Sequence, residues 1–307
     1  MNPIDYHHID PINKIKGDLK NVYSIVNKRE LGESIYLIEI EAAQIAPKVQ
    51  TGQFVVIRVD AEGERIPLTV ADQDLEAGTI AVIFQAVGVS TAKLAALKIG
   101  DSLLDLVGPL GLPTPISETA RRVCIVGGGL GCAIAYPQAK SLTQAGFAVD
   151  MIAGFRTKDL VILEEEMRAN TENLYVTTDD GSYGEQGFTT TKLEALINEG
   201  KQYDLVIAIG PTVMMKFLCL LTAQFNLPTI VSLNPIMIDG TGLCGCCRVT
   251  INGETKFACV DGPDFDGHAV DFDELMARNT FYAEQETAAY KAYKEHVCNL
   301  TGEVRNG

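Results

Sequence analysis

Short apolar runs separated by turn residues fill the first third of the chain, and the pattern changes character once, just past residue 108. Before that point the runs are rich in β-branched side chains: Asn21–Glu30, Glu33–Ala42, Gln53–Val59, Thr79–Val87 and Ser102–Val107, with breaks at Gly52, Glu62-Gly63 and Glu76-Ala77-Gly78. Runs of this length and spacing predict antiparallel strands wrapped into a small β-barrel. One helix is expected among them, Thr91–Lys98, with Ser90 or Thr91 as its N-cap. After Gly108-Pro109-Leu110-Gly111-Leu112-Pro113 the period lengthens. Strands are expected at Arg122–Val126, Val149–Phe155, Leu174–Thr178, Leu205–Ile209 and Pro228–Leu233. Helices are expected at Cys132–Ala145, Leu163–Asn170, Thr190–Gly200 and Thr212–Phe225. Alternation of this kind predicts a parallel, doubly wound α/β sheet. A cysteine-rich segment follows, and Asp271–His296 reads as a polar helical region.

The expected organisation is an N-terminal extension (residues 1–20), an all-β unit (21–116), a Rossmann-like α/β unit (117–232), a cysteine segment (233–275) and a helical tail (276–307). A chain of 307 residues accommodates two ordinary domains and a small appendix. A net charge of −15 argues against nucleic acid as a partner, because phosphate binding needs clustered Lys and Arg. No apolar run is long enough to span a bilayer, and the first residues lack the basic flank and apolar stretch of a signal peptide, so a cytoplasmic protein is expected. Four of the eight cysteines crowd into one short segment, a distribution that suits metal binding better than a disulfide framework.

Gly127-Gly128-Gly129-Leu130-Gly131 follows a predicted strand and opens a predicted helix. There backbone amides at a helix N-terminus can meet a pyrophosphate; a glycine turn alone is a weak signal and is also used as a structural device, and its position in a βαβ unit is what favours the first reading. Cys132, just inside that helix, reads as a small buried side chain. Arg65-Ile66-Pro67-Leu68-Thr69 offers a guanidinium for a diphosphate and a hydroxyl for the reacting edge of a ring. Gln85-Ala86-Val87-Gly88-Val89-Ser90-Thr91 ends a strand in a second anion cradle. Two cradles in two unlike units suggest two nucleotides. Thr177-Thr178-Asp179-Asp180-Gly181-Ser182-Tyr183-Gly184 comes off a central strand; either Asp179 or Asp180 is a ribose acceptor there, or the pair is a solvated turn. An acid at that place favours NADH over NADPH, while Arg156 weakens the inference. Gly210-Pro211 closes the next strand, and Met214 and Met215 belong either to the nicotinamide site or to the core.

Asp239, Cys244, Cys247 and Cys259 are spaced D-x4-C-x2-C-x11-C. Plant-type [2Fe–2S] loops use C-x4-C-x2-C with a distant cysteine, so the carboxylate stands where the first thiolate would. The competing reading is a zinc site that recruits Cys246 as a fourth sulfur. His268 is expected to pack rather than to ligate.

In this order and spacing the motifs resemble the ferredoxin-NADP reductase superfamily, over about residues 21–285. Most similar are its flavin/[2Fe–2S] electron-transfer subunits: those of dihydroorotate dehydrogenase, and the small subunits of NADH-dependent reduced ferredoxin:NADP oxidoreductase, also described as sulfide dehydrogenase β subunits. The resemblance implies FAD on the β unit, held by Arg65, Pro67, Leu68, Thr69, Gln85, Val87, Gly88, Ser90 and Thr91, with Thr69 at the reacting edge. It implies NAD(H) across Gly127, Gly128, Gly129, Gly131, Asp179, Asp180, Gly181, Ser182, Gly184, Gly210, Pro211 and Met214. It implies a [2Fe–2S] cluster on Asp239, Cys244, Cys247 and Cys259. The dihydroorotate type is expected to carry Cys at the place of Asp239, so the aspartate resembles the second group. That group implies a larger flavoprotein/iron–sulfur partner similar to a glutamate-synthase small subunit, and further subunits of an electron-bifurcating complex. The alternatives are the dihydroorotate dehydrogenase subunit and a non-catalytic, zinc-stabilised nucleotide-binding module.

Overall fold

The computed structural model describes residues 23–117 and 119–301, so the extension at 1–20 lies outside the described residues. Six antiparallel strands form the first sheet: β1 (Ile25–Gly32), β2 (Ile35–Glu41), β3 (Phe54–Arg58), β4 (Ile66–Asp74), β5 (Thr79–Gln85) and β6 (Asp105–Leu110), in the order β1-β2-β5-β4-β3-β6. The expected barrel is a wrapped sheet whose ladder does not close. Its two edges meet through a single bridge, Ser24 with Ser102, just outside β1 and β6. Ile38, Ile40, Val55, Ile57, Ile80, Val82 and Phe84 fill the inside of the wrap. Strand β4 was legible only at its start. It runs on through Asp72, Gln73 and Asp74, which are exposed and carry no apolar alternation. Helix α1 (Val89–Ala96) starts two residues earlier than expected, with Gly88 rather than Ser90 or Thr91 as N-cap. Thr91 is its third residue, and its hydroxyl oxygen accepts from the Gly88 amide at 3.0 Å.

The second sheet has β7 (Arg122–Gly128) at its centre, flanked by β8 (Ala148–Phe155), β9 (Asn173–Thr178) and β10 (Glu185–Gln186) on one side and β11 (Leu205–Ile209) and β12 (Thr229–Ser232) on the other. All of these pair in parallel. β7, β8 and β11 are buried over almost their whole length, as strands covered on both faces require. Helices α2 (Gly131–Gln144), α3 (Glu164–Ala169), α4 (Thr189–Asn198) and α5 (Thr212–Gln224) supply the cover.

The chain then leaves the sheet, makes the cysteine loop and the hairpin β13 (Arg248–Ile251) and β14 (Glu254–Phe257), passes the short helix α6 (Ala258–Asp261), and returns as β15 (Asp264–Asp266). Strand β15 is antiparallel to β12 and forms the edge of the same sheet. The cysteine segment therefore shares a core with the α/β unit: Met237, Cys247, Cys259, Phe265, Phe272 and Leu275 pack in one cluster with Val126, Ala208 and Leu218. The expected C-terminal helical region consists of two helices, α7 (Phe272–Asn279) and α8 (Ala283–Thr301). Asp271 caps α7 by accepting from the Glu274 amide at 2.9 Å. No helix among the described residues is long and apolar enough to cross a membrane.

Candidate functional site

The two sheets enclose a cavity of about 1290 Å³. That exceeds the roughly 300–1,000 Å³ of a pocket for one small ligand and leaves space for two nucleotides meeting end to end. Pro67, Leu68, Thr69, Gln85, Val87 and Thr91 line it from the first unit, and Gly128, Gly129, Gly131, Asp179, Gly210, Pro211 and Met214 from the second.

The wall from the first unit follows from a detail of strand pairing. Between Ile66 and Thr69, β4 pairs with β3; its pairing with β5 begins only at Val70. A proline is tolerated at position 67 because one side of the strand is outside the ladder there. The same free edge leaves backbone polar groups of Pro67-Leu68-Thr69 to a ligand. Phe54, in register with Thr69, and Ile83 and Phe84 make the floor apolar. Arg65 is exposed and Ser90 is buried. Neither these two nor Gly88 line the cavity directly.

On the opposite wall the glycines are steric necessities. A Cβ on Gly131 would stand 2.3 Å from the Ile209 carbonyl oxygen, and one on Gly128 would stand 2.5 Å from Met214 Sδ. Gly129 has φ +55°. Gly127 faces Cys132 rather than the cavity. The Cys132 thiol is wholly buried, and burial pushes it up to about 12, so it packs and does not react. Met214 lines the cavity while Met215 is buried in the core, so each alternative holds for one methionine.

Asp179 reaches the cavity, whereas Asp180, Gly181, Ser182 and Gly184 build the turn behind it. The Ser182 hydroxyl donates to Asp180 at 2.6 Å and its amide at 3.0 Å, which holds the Asp180 carboxyl below the usual range. Gly184, at φ +63°, leaves no space for a side chain against the Val176 carbonyl. Gly154, Phe155, Phe188, Thr189, Thr190, Thr191 and Glu194 complete this end and escaped the sequence reading, and Arg156, considered there only against the preference for NADH, lines it as well. The signal for Gly154-Phe155-Arg156 was present as a strand end at the carboxyl edge of the sheet, where ligands of open α/β folds bind.

The cysteine loop rests on the first sheet beside this cavity. A Cβ on Gly240 would meet Leu110 Cδ1 at 2.8 Å and Val56 Cγ2 at 3.1 Å, and Val56 is the register partner of Pro67. Leu233, Asn234, Pro235, Met237 and Pro263, which bracket the loop, line the cavity. Asp239 accepts from the Thr241 amide at 2.9 Å and the Cys244 amide at 2.8 Å. The Thr241 contact, reinforced by Cys244, keeps its carboxyl ionised. Cys247 and Cys259 are buried with sulfurs 3.2 Å apart; Cys244 is exposed and Cys246 half-buried. Among the described residues no three His, Cys, Asp or Glu side chains converge on one ion. The Cys247 and Cys259 sulfurs form one close pair, and Asp239 is tied to the Cys244 backbone amide on the other side of the loop. The Cys246 carbonyl is taken by Arg278 of α7 at 3.0 Å, and His268 shares a hydrogen bond of 2.9 Å with Thr222, away from the loop.

A wrapped antiparallel sheet facing the carboxyl edge of a parallel one, with a thiol-rich loop on the shared rim, defines an oxidoreductase-type electron-transfer protein. The profile of the iron–sulfur cluster binding domain of dihydroorotate dehydrogenase B matches residues 234–271. A protein from the adh 3′ region of Clostridium beijerinckii is 50% identical over 281 residues, which span 89% of this chain and 95% of that protein. A homologue of the electron transfer subunit of dihydroorotate dehydrogenase B (NAD(+)) from Thermotoga maritima is 47% identical over 88% of this chain and 94% of its own. A chain from the structure of the NADH-dependent reduced ferredoxin-NADP oxidoreductase, described for flavin-based electron bifurcation, superposes with a TM-score of 0.83 at 45% identity. The match covers 89% of this chain and 98% of that one. The chain therefore belongs to the family of dihydroorotate dehydrogenase electron-transfer subunits and their homologues, within the ferredoxin-NADP reductase superfamily.

Proposed function

We propose that this chain is the electron-transfer subunit of an electron-bifurcating flavin oxidoreductase, passing electrons between NAD(H), FAD and a [2Fe–2S] cluster and exchanging them with a larger flavoprotein partner. The observation that carries this is the Asp239 loop. The carboxylate is held ionised by two amides of the loop that bears Cys244, in a chain that matches 98% of the bifurcating-enzyme chain at 45% identity. The bound flavin supplies conversion of a two-electron hydride into the single electrons that a cluster carries.

The protein's own contribution is alignment and exclusion of water. The free edge of β4 and the Thr69 hydroxyl would hold the flavin ring, and Thr91 on the cavity wall, with Arg65, Gly88 and Ser90 just outside it, would serve its diphosphate. Gly128, Gly129 and Gly131 bring α2 close to the dinucleotide, and Asp179 accepts from its ribose. Met214 and Pro211 close the nicotinamide end. Asp239, Cys244, Cys247 and Cys259 would hold the cluster, on a loop whose Gly240 touches Val56, the register partner of Pro67. The corresponding units are 21–116 for FAD, 117–232 for NAD(H), 233–275 for the cluster and 276–307 as a tail. The Thermotoga homologue's name supports a second reading, the partner of a dihydroorotate dehydrogenase.

Purification from native cells under argon tests both. The expected preparation shows flavin and iron–sulfur absorption, bleached by NADH, and co-elutes with a large flavoprotein that reduces NADP and ferredoxin. A dihydroorotate-oxidising partner would favour the second reading. A colourless, zinc-containing protein would overturn both.

A further inference from the structure

The buried carboxyl group of Asp264 lies where the three units meet, and nothing in the reading above uses it. It is 6% exposed, at the start of β15, next to the cavity-lining Pro263. Its Oδ2 accepts from the Thr114 hydroxyl at 2.6 Å and from Gln138 Nε2 at 3.3 Å. Ser232 is its register partner on the neighbouring strand β12. Thr114 belongs to the connector leaving the β unit, and its amide donates to the Thr51 carbonyl at 3.0 Å. Gln138 is on α2, the helix whose first turn carries the glycine cradle, and it is 2% exposed. Gly52 lets the loop before β3 approach: a Cβ there would stand 3.1 Å from Asp264 Oδ2.

Two buried acceptors at this junction lack partners, Asp264 Oδ1 and Gln138 Oε1. An ionised Asp264 would leave both without a donor among side chains that are all neutral, and a buried unpaired charge is far costlier than a neutral group. One proton removes both deficits. An acid and an amide each present an oxygen and a second polar atom on one carbon, so they match edge to edge. We propose that Asp264 is a neutral acid whose Oδ1–H donates to Gln138 Oε1 while Gln138 Nε2 donates back to Oδ2, a ring that fixes the glycine-cradle helix, the connector from the β unit and the returning strand of the cluster segment in one geometry. Burial acts in the same direction, raising this carboxyl above its usual range. Asp264 is thus a positioning residue for hydride transfer, and that functional arm rests on the reading given above; the protonation arm does not.

The test uses the full, cofactor-loaded chain. Infrared difference spectra of wild type against D264N at neutral pH are expected to show a protonated carboxylic acid band, shifted in Q138L when its amide partner is removed. A carboxylate band pair in place of the acid band, or an acid band unmoved in Q138L, overturns the proposal. Asparagine reproduces the ring with its own amide, so D264N is expected to keep NADH-dependent bleaching within about twofold of wild type. D264L and Q138L, which break the ring, are expected to raise KM for NADH or slow bleaching about tenfold with both chromophores retained. D264N as impaired as D264L would mean that a charge is needed and would sink the idea. A loss of NADH bleaching in every form, wild type included, with the infrared result intact, would instead overturn the functional reading and leave the neutral acid standing.

Discussion

At the residue scale the site divides into side chains whose chemistry is visible in one letter and side chains that matter only by position. Asp239, Cys244, Cys247 and Cys259 are of the first kind: their spacing and the flanking glycines were legible without coordinates, and in the structure Asp239 accepts from the Cys244 backbone amide while the Cys247 and Cys259 sulfurs lie 3.2 Å apart. Cys259→Ser is expected to abolish or destabilise the iron–sulfur absorption while FAD stays bound, because the two sites share a rim and no side chain. Asp239→Cys is expected to keep a cluster at a shifted potential, measured by redox titration. Cys246→Ala should leave the spectrum intact; its loss would show that the ligand set is wrong. Thr69→Ala removes one hydroxyl from the cavity wall and is expected to slow NADH-dependent flavin reduction about tenfold in stopped flow, the effect of about one hydrogen bond. Phe54, Phe188 and Thr189–Thr191 are of the second kind. Nothing in a phenylalanine or a run of threonines announces a cavity wall, because fold topology rather than residue type brings them there.

At the element scale most strands and helices follow from apolar periodicity, and the misses share a cause. Strand β4 contains Pro67 and ends in Asp72-Gln73-Asp74, so neither its pattern nor its propensity announces nine strand residues. Its neighbours β3 and β5 supply the ladder that overrides propensity. Buried acids on two strands of the parallel sheet lead to opposite pH dependences. Asp150, 1% exposed on β8, accepts from Asn173 at 2.7 Å, Tyr203 at 2.8 Å and Lys201 at 2.9 Å. Burial raises its carboxyl, but these three donors outweigh burial and hold it below the usual range. A depressed folded value contributes stability above the unfolded carboxylate value, about 3.9, that is lost as pH falls through the folded one. Asp150→Ala strands three donors, of which Lys201 can turn to solvent, and is expected to cost about 1–3 kcal/mol in urea unfolding at neutral pH, with a smaller deficit in acid. Asp264 is raised instead, so its contribution is full below about pH 3.9 and declines as pH rises toward the folded value. The urea midpoint of wild type relative to Asp264→Asn is therefore expected to fall as pH rises, and a difference independent of pH would contradict a neutral Asp264.

At the scale of the whole molecule the division into a β unit, an α/β unit and a cysteine segment was legible because hydrophobic period and composition change at each junction. What could not be read was how little the segment stands apart. A return strand of three residues, Asp264–Asp266, carries no periodic signal, yet it makes β15 the edge of the parallel sheet. The apolar residues on either side of the cysteine loop complete the core beneath β7 and β11. Phe54 and Val56 of the first sheet enter that same core, whereas the inside of the wrapped sheet is filled by its own residues. Shared cores melt together and separate cores need not. Iron–sulfur absorption and the far-ultraviolet signal of the α/β unit are thus expected to be lost in one coincident thermal step. A chain ending at residue 233 removes β15 and uncovers Leu218, Val231 and their neighbours, so it is expected to aggregate or to lose the nicotinamide site along with the cluster. Survival of a soluble, NADH-binding fragment after that truncation would show that the cysteine segment is an appended module. It would also remove the structural reason for cluster, flavin and nicotinamide to keep fixed distances while electrons pass among them.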